Sequence, residues 1–457
     1  MNLSPQRIAA ALGAEVLAEG PAEPPVRATI DSRAAGPGDL FFGLRGSRRD
    51  GGEFAPDALA AGAWGVVVGP DAARSRLVAP GGTKLDRDEW GRGGWVLVVE
   101  DPTAALQALA REWRRELGAR VVGVTGSVGK TSVKDIARAI LPGRVHANRE
   151  NLNTEIGLPL TVLEAPPGTE VLVLEMAMRG RGQIAELAAI AEPDVAVITN
   201  VGPVHVELLG SVEEVAAAKA EALDALPADG TAVAPVEAGA LEPHLARAPR
   251  LLRFGPGGDV EALEATVADG VTRAVVLTPA GAQRFEFPFA EAHNLTNALA
   301  AIAAGVALGA APAAMVDRAA GIGFSRFRGE RLELGDGIVL VNDCYNANPV
   351  SMRAALDHLA ALGAPRTVAV LGEMAELGPE APAYHRGVGE HARALGIDFV
   401  VGVGAPARDY GPDELVADPA EAAELLAARL QPGDAVLVKG SRSAGLEAVA
   451  EHLVELV

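Results

Sequence analysis

The sequence predicts an α/β protein of three domains, with a doubly wound, mostly parallel sheet at its centre. Length is the first observation, since 457 residues suit about three cores of ordinary size. The second is the alternation of short apolar runs with helical stretches, once from residue 101 and again from residue 329. That pattern belongs to parallel strands covered by helices on both faces. The third is a strand, a glycine-rich turn and a helix start in Val121-Val-Gly-Val-Thr-Gly-Ser-Val-Gly-Lys-Thr-Ser-Val-Lys134.

That third stretch carries the chemistry. Arg120 to Val124 reads as a strand buried on both faces, and Val133 to Leu141 as the helix after it. Between them Gly126 and Gly129 let backbone N–H groups converge, and the helix adds its positive end, so the turn is a phosphate cradle. Lys130 reaches the terminal phosphates and the Thr131 hydroxyl is placed to ligate Mg²⁺. The spacing Gly126-x-x-Gly-Lys-Thr is two residues shorter than the general phosphate-loop pattern. A nucleoside triphosphate is the expected ligand.

Composition sets bounds. A hydrophobic fraction of 49% beside a charged fraction of 22% is globular, and the formal net charge of −20 disfavours nucleic acid and anionic membrane surfaces. Anionic substrates must then be held by local arginines, lysines and backbone N–H groups. The single cysteine, Cys344, forbids an internal disulfide, fits a reducing cytoplasm and reads as a packed side chain rather than a nucleophile. No signal peptide is expected from Met1-Asn-Leu-Ser-Pro-Gln-Arg7, and the uncharged stretch Ala298 to Val316 is expected as a soluble core helix rather than a membrane insertion. Lysine is scarce: Lys84, Lys130, Lys134, Lys219 and Lys439 leave arginine as the other 35 of the 40 basic residues. A lysine retained against that bias marks a task arginine cannot perform.

Residues 1–100 form the first expected domain. Ser4-Pro5 opens a helix to Leu12, Ala28 to Asp31 and Leu40 to Leu44 are strands, Pro56 to Ala63 is a helix into the strand Trp64 to Val68, and a Gly-rich loop from Pro80 to Gly94 precedes the strand Trp95 to Val99. Asp31-Ser32-Arg33 sets an arginine and a hydroxyl after a strand end, which suits a diphosphate, although these residues alone read first as an exposed turn with solvated charges.

The second expected domain, 101–328, begins after Asp101-Pro102 with a helix from Thr103 to Leu117. The strands Val171 to Leu174 and Val195 to Ile198 end at Glu175 and Thr199-Asn200, and ligands in such sheets bind beyond the carboxyl ends of strands. His205 follows the second of these, and Ser211-Val-Glu-Glu214 is a capping-box start for a helix carrying Lys219. Asn151-Leu-Asn153-Thr154 reads alone only as loop; Gly255 to Phe289 reads as short strands and turns. His293-Asn294-Leu-Thr-Asn297 opens the uncharged helix, with carboxamides that suit either an adenine edge or a helix cap. The third expected domain, 329–457, repeats the alternation through strands at Ile338 to Val341, Thr367 to Leu371, Phe399 to Val403 and Ala435 to Val438, with a helix from Pro349 to Leu362.

Taken together, Thr125 to Thr131, Asn151 to Gly157, Glu175, Thr199-Asn200 with His205, Ala218 to Glu221, His293 to Asn297, Gly329-Glu-Arg331 and Asp343 to Pro349 resemble the Mur ligase family across essentially the whole chain. Asp343-Cys-Tyr-Asn-Ala-Asn-Pro-Val-Ser-Met352 with Leu371-Gly-Glu-Met-Ala-Glu-Leu-Gly378 resembles the member adding D-alanyl-D-alanine to UDP-N-acetylmuramoyl-tripeptide. The resemblance implies an amino-terminal UDP-binding domain, a central ATPase and a carboxy-terminal Rossmann-like domain. It implies amide formation through an acyl phosphate with release of ADP and phosphate, a cytoplasmic step of peptidoglycan synthesis serving cell shape and division. It also implies ATP, two Mg²⁺ ions and a carbamylated Lys219 as cofactors, and a monomer.

Roles follow from the same resemblance. Gly126, Ser127, Gly129, Lys130, Thr131 and Ser132 hold the phosphates. Thr131 takes the first metal, and Glu175, His205 and Lys219 the second. Asn294 and Asn297 face adenine, Asp343 the ribose, and Arg331 reaches the phosphates from the third domain. Ser32 and Arg33 resemble the UDP diphosphate site. Asn151, Asn153 and Thr154 belong with the substrate, and Asn346, Asn348, Lys439 and Ser441 lie where the dipeptide is expected. The chain departs from the pattern at Ser127-Val128 for Thr-Asn, Gly52 for His and Ala177 for Gly. A sister ligase adding one amino acid, or a folylpolyglutamate synthase, would share the central motifs; Asn346-Ala-Asn-Pro349 argues against both.

Overall fold

Strands apolar on both faces build the sheets that carry the site, and each lies where the sequence alternates. The computed structural model describes residues 1–75, 94–149 and 151–455. The loop expected from Pro80 lies outside them except for Gly94. In the first domain the helix Pro5–Leu12 is capped by Ser4, whose Oγ accepts the Arg7 N–H. Strands β1 (Glu15–Ala18), β2 (Arg27–Thr29), β3 (Asp39–Phe42), β4 (Gly65–Val68) and β5 (Trp95–Val98) form a sheet in the order β1-β5-β4-β3-β2. Only the β1–β5 pair is antiparallel. β2 stops short of the expected Asp31 because that carboxylate turns back to accept the Arg33 N–H at 3.0 Å.

The central domain is the doubly wound unit expected. Strands β6 (Arg120–Thr125), β7 (Val145–Ala147), β8 (Val171–Glu175), β9 (Val195–Ile198), β10 (Thr231–Pro235) and β11 (Arg250–Phe254) run parallel in the order β11-β10-β9-β6-β8-β7. The chain winds to one side of β6 through β8 and β7 and to the other through β9, so the carboxyl ends of β6, β8 and β9 meet where ligands bind in such sheets. Strands β12 (Glu261–Ala268), β13 (Val271–Thr278) and β14 (Gly281–Phe287) add a small antiparallel sheet.

One expectation fails here. The uncharged stretch from Ala298 to Val316 is not one helix: Ala292–Ala307 ends, and Pro312–Ala319 begins with Pro312 in its first turn. Gly309 cannot hold the helix as alanine would, and Pro312 is tolerated only at a helix start. Among the described residues no helix is long and apolar enough to cross a membrane.

The third domain contributes β15 (Glu330–Glu333), β16 (Val339–Asn342), β17 (Arg366–Leu371), β18 (Phe399–Val403), β19 (Glu414–Val416) and β20 (Asp434–Lys439), ordered β15-β16-β20-β17-β18-β19. All pairs are parallel except β15 with β16. The two ends of the molecule are joined to the centre differently. Ile8, Leu40 and Trp64 of the first domain share one continuous core with Leu106, Trp113 and Leu158. The buried apolar clusters of the third domain contain only its own residues, with Phe327 of the connecting segment packed against one of them, which is how a separable domain packs.

The exposed helix Pro419–Arg429 offers a clean test of local stability. Asp418 caps it, accepting the N–H groups of Ala420 at 2.9 Å and Glu421 at 3.0 Å. Asp418→Ala is expected to destabilise the third domain by about 1 kcal/mol, read as faster amide exchange confined to that helix and a lower urea midpoint for the domain.

Candidate active site

The turn after β6 is laced to the end of β9 before any ligand arrives. Ser127 N–H donates to the Asn200 carbonyl at 3.0 Å, Val128 N–H to Asn200 Oδ1 at 2.9 Å, and Gly202 N–H to Ser127 Oγ at 2.9 Å. Thr199 Oγ1 donates to the Val128 carbonyl. The serine in place of threonine therefore has a structural use, and the loop is rigid. Gly126 has φ +149°, and a Cβ there would lie 1.9 Å from Thr199 Oγ1. Only glycine allows β9 to approach this closely. The helix Lys130–Ile140 then opens with N–H groups that have no partner inside the helix and face the cleft with its positive end.

Two lysines converge under the loop. Lys130 Nζ and Lys219 Nζ each donate to the Gly126 carbonyl at 2.9 Å. Lys219 is 2% exposed, and burial, then the neighbouring Lys130 charge, holds its amine well below the usual lysine range. Burial also lowers Lys130, against the raising influence of Glu175.

Beside them Thr131 Oγ1 donates to Glu175 Oε2 at 2.9 Å, and Asn153 Nδ2 to Glu175 Oε1 at 2.8 Å. The Glu175 N–H is fixed by Asn148 Oδ1 at 2.6 Å. A buried hydroxyl and carboxylate at a phosphate loop are the hard oxygen donors Mg²⁺ takes together with phosphate oxygens, so Glu175, expected with the second ion, lies beside Thr131 where both fit the first. Among the described residues no three His, Cys, Asp or Glu side chains are grouped to hold a metal unaided. Lys219 as an ammonium does not fit as a ligand.

Two compartments open from the loop. One of about 230 Å³ is lined by Gly129 and Ser132, by Asn294 and Asn297 at the start of their helix, and by Asp343 and Lys439 of the third domain. Asn297 Nδ2 donates to Asn294 Oδ1 at 3.2 Å, and Asn294 Nδ2 to Glu291 Oε2 at 3.2 Å. The other, about 710 Å³, lies between the second and third domains and holds Asn151, His205, Asn346 and Asn348. That volume is ordinary for a small-molecule site.

Comparison with known proteins agrees along the chain. Three domain models match: "Mur ligase family, catalytic domain" over residues 27–114, "Mur ligase middle domain" over 124–305 and "Mur ligase, glutamate ligase domain" over 327–442. The UDP-N-acetylmuramoyl-tripeptide–D-alanyl-D-alanine ligase of Synechocystis is 38% identical over 93% of this chain and 91% of its own. The chain belongs to the Mur ligase family. A crystal structure of MurF from Acinetobacter baumannii superposes with TM-score 0.87 at 28% identity, covering 100% of this chain and 99% of that one. The MurF ligase of Thermotoga maritima in complex with ADP gives 0.81 at 30% identity, with 94% and 97% covered.

Within this Mur ligase several expected residues sit differently from their assigned roles. Arg331 lies on the outer face of β15, 47% exposed beside Glu333 at 3.6 Å. Arg328 takes the position against the phosphate loop, donating to Thr131 Oγ1 at 3.0 Å with its guanidinium 4.0 Å over the Tyr345 ring. The alternation Glu330-Arg-Leu-Glu333, with Leu332 turned inward, is the signal that sends Arg331 outward.

Lys439 is buried and its ammonium is taken by Asp343 Oδ2 at 2.6 Å and the Asn346 carbonyl at 3.0 Å, so it braces the nucleotide compartment instead of facing the dipeptide. Asn348 Oδ1 accepts the Ser351 N–H at 3.0 Å as the cap of the helix Pro349–Ala361. Ser441 Oγ, also buried, accepts the Ala375 N–H at 2.9 Å.

Asn346 keeps its own amide occupied, its Oδ1 accepting the Ala347 N–H at 2.8 Å. Thr154 is exposed, and its carbonyl caps the Leu158 N–H. Arg33 is 88% exposed and paired with Asp31, beside a half-buried Ser32, so neither lines the two compartments. At Gly52 a Cβ would stand 2.5 Å from the Ala72 Cβ, so this chain has no room there for a histidine side chain. Cys344 is buried with its thiol pushed up to about 12, chiefly by burial, and is no nucleophile. Sequence reasoning missed Asn148, Arg328 and Glu376, whose Oε2 pairs with His205 Nδ1 across the domain junction.

The crowding at Gly126 gives a test. Gly126→Ala is expected to weaken binding of a fluorescent ATP analogue at least about tenfold by displacing Thr199 or the loop, while the circular dichroism spectrum stays native.

Proposed function

We propose that this chain joins D-alanyl-D-alanine to UDP-N-acetylmuramoyl-tripeptide with cleavage of ATP to ADP and phosphate. The observation that carries the reading is full-length likeness to ligases of that name, combined with an intact phosphate loop, Glu175 and paired lysines at one switch point. The terminal carboxylate of the tripeptide attacks the γ-phosphate, and the dipeptide amine then attacks the acyl phosphate. Lys130 and the first helical N–H groups offset charge on the phosphates, and Arg328 adds a cation from the third-domain side. Thr131 and Glu175 would hold Mg²⁺, which when bound would offset phosphate charge. Docking of the third domain excludes water from the hydrolysable acyl phosphate.

Asn294 and Asn297 serve the base and Asp343 the ribose, supported by their shared compartment with Gly129. The sugar nucleotide is assigned to the domain of residues 1–100, with Ser32 and Arg33 at its diphosphate. The cleft is complete within one chain, which suits a monomer, and ATP as co-substrate suits the cytoplasm. With ATP, UDP-N-acetylmuramoyl-tripeptide and a panel of amines, the expected product is heavier by one D-alanyl-D-alanine residue; efficient transfer of a single amino acid instead would overturn the assignment.

Lys219 is proposed to carry a carbamate that serves a second Mg²⁺ with His205. Three features support it: the amine is buried, its one hydrogen bond is to a carbonyl, and Lys130 shares that acceptor. Carbamylation needs the neutral amine that burial favours, and replaces a crowding cation with an oxygen ligand. Lys219→Ala is expected to lose most activity and regain part with a small carboxylate, Lys219→Arg to stay inactive, and ¹³CO₂ to give a carbamate carbon resonance in the wild type only. Its absence from fully active enzyme would remove the modification from the mechanism.

A further inference from the structure

The larger compartment is strongly one-signed. Lys130, Arg179, Arg326, Arg328 and Arg442 line it, and Glu376 is the one carboxylate among the described residues that do. Most of the charged groups the ligase brings here are anionic: the γ-phosphate and the tripeptide carboxylate that react, and the dipeptide carboxylate that does not. The amine of the dipeptide arrives from water as an ammonium, and a cleft built of arginines repels it. A single carboxylate in that field is the feature that admits it.

Glu376 is held in place by the fold. Its backbone is left-handed, with φ +62°, a strained conformation for a non-glycine residue. The neighbouring residues pin it: Met374 N–H donates to His385 Nε2 at 3.1 Å and Ala375 N–H to Ser441 Oγ at 2.9 Å. From the third domain the carboxylate crosses to the second, where Oε2 pairs with His205 Nδ1. Oε1 lies 3.6 Å from Arg179 Nε, beyond hydrogen-bond distance, and so retains acceptor capacity. The side chain is 35% exposed.

We propose that Glu376 is the substrate-binding residue that receives the ammonium of the incoming dipeptide and sets that amine beside His205 and the phosphate loop. The assignment rests on the ligase reading, and it explains recognition of a free amine rather than the chemistry of the bond. Charge is the determinant, so an isosteric neutral side chain keeps the contact with His205 and loses the substrate.

The test uses the full-length enzyme and its Glu376→Gln and Glu376→Asp variants, with thermal melts to establish folding. Steady-state kinetics are measured for each of the three substrates, with N-acetyl-D-alanyl-D-alanine as a competing ligand. Glu376→Gln is expected to raise the KM for the dipeptide about 10- to 100-fold and to bind free and N-acetylated dipeptide alike, with the KM for ATP changed less than about twofold. Glu376→Asp is expected to recover part of the dipeptide affinity. An unchanged dipeptide KM, a parallel rise in all three KM values, or a fall in kcat alone would each overturn the proposal, the last two marking Glu376 as a brace between domains. Wild-type enzyme that does not incorporate the dipeptide would fail the ligase reading first, before any variant is compared.

Discussion

Two lysine amines on one carbonyl oxygen are the constraint around which this site is built. Lys130 and Lys219 each lie 2.9 Å from the Gly126 oxygen. Were both protonated, two cations about 5 to 6 Å apart would repel by roughly 3 kcal/mol at an effective dielectric of about 20, which is why one of them is held toward its neutral form. The fold tolerates this because Gly126 is rigidly placed, its missing Cβ filled by Thr199, and because Glu175 stands beside Thr131 at the same strand ends. Polyanionic nucleotide relieves the repulsion, so the protein stores in its loop the positive field that its overall charge of −20 cannot supply.

The second dependence is on the third domain. Its apolar cores stand alone, whereas polar and ionic groups carry its junction with the site. Ser325 N–H and Oγ both donate to the buried Asp135 Oδ2 at 2.8 Å, fixing the start of the connecting segment to the helix after the phosphate loop. Arg328 then reaches Thr131, and Glu376 reaches His205. Of these, the Glu376–His205 contact joins the third domain directly to the second. The first domain, sharing a continuous core around Trp113, has no such freedom. Substrate closure is therefore expected to move one end of the molecule and leave the other fixed.

What could be read in the sequence was what local rules decide. Strand, loop and helix around Gly126, the strand ends at Glu175 and Asn200, and the parallel layers all follow from apolar runs and turn residues, and the structure has them in that order. Short edge strands such as β1, β15 and β19 were not legible, since three or four residues with one exposed face carry no clear period. Among site residues, the substitution of Arg328 for Arg331 at the loop came from strand parity, and the burial of Lys439 against Asp343 from a pairing across β16 and β20. The first was present in the local alternation of Glu330 to Glu333, whereas the second depends on contacts between segments far apart in the chain, which no local pattern encodes.

The scarcity of lysine takes a sharper meaning from the structure. Lys134 is buried against Asp135 at 2.7 Å and Lys439 against Asp343 at 2.6 Å, so each has a carboxylate that justifies its burial. Lys219 is as deeply buried and has instead another lysine as its neighbour. A guanidinium at that position would stay charged and would be unable to react. An amine can lose its proton, and the burial that makes an ammonium costly there favours the neutral form. Compositional bias toward arginine singles out five positions, four of them among the described residues, and the partners separate those four: two are paired with acids, Lys130 stands at the phosphate loop, and Lys219 sits where only a side chain able to shed its charge is comfortable.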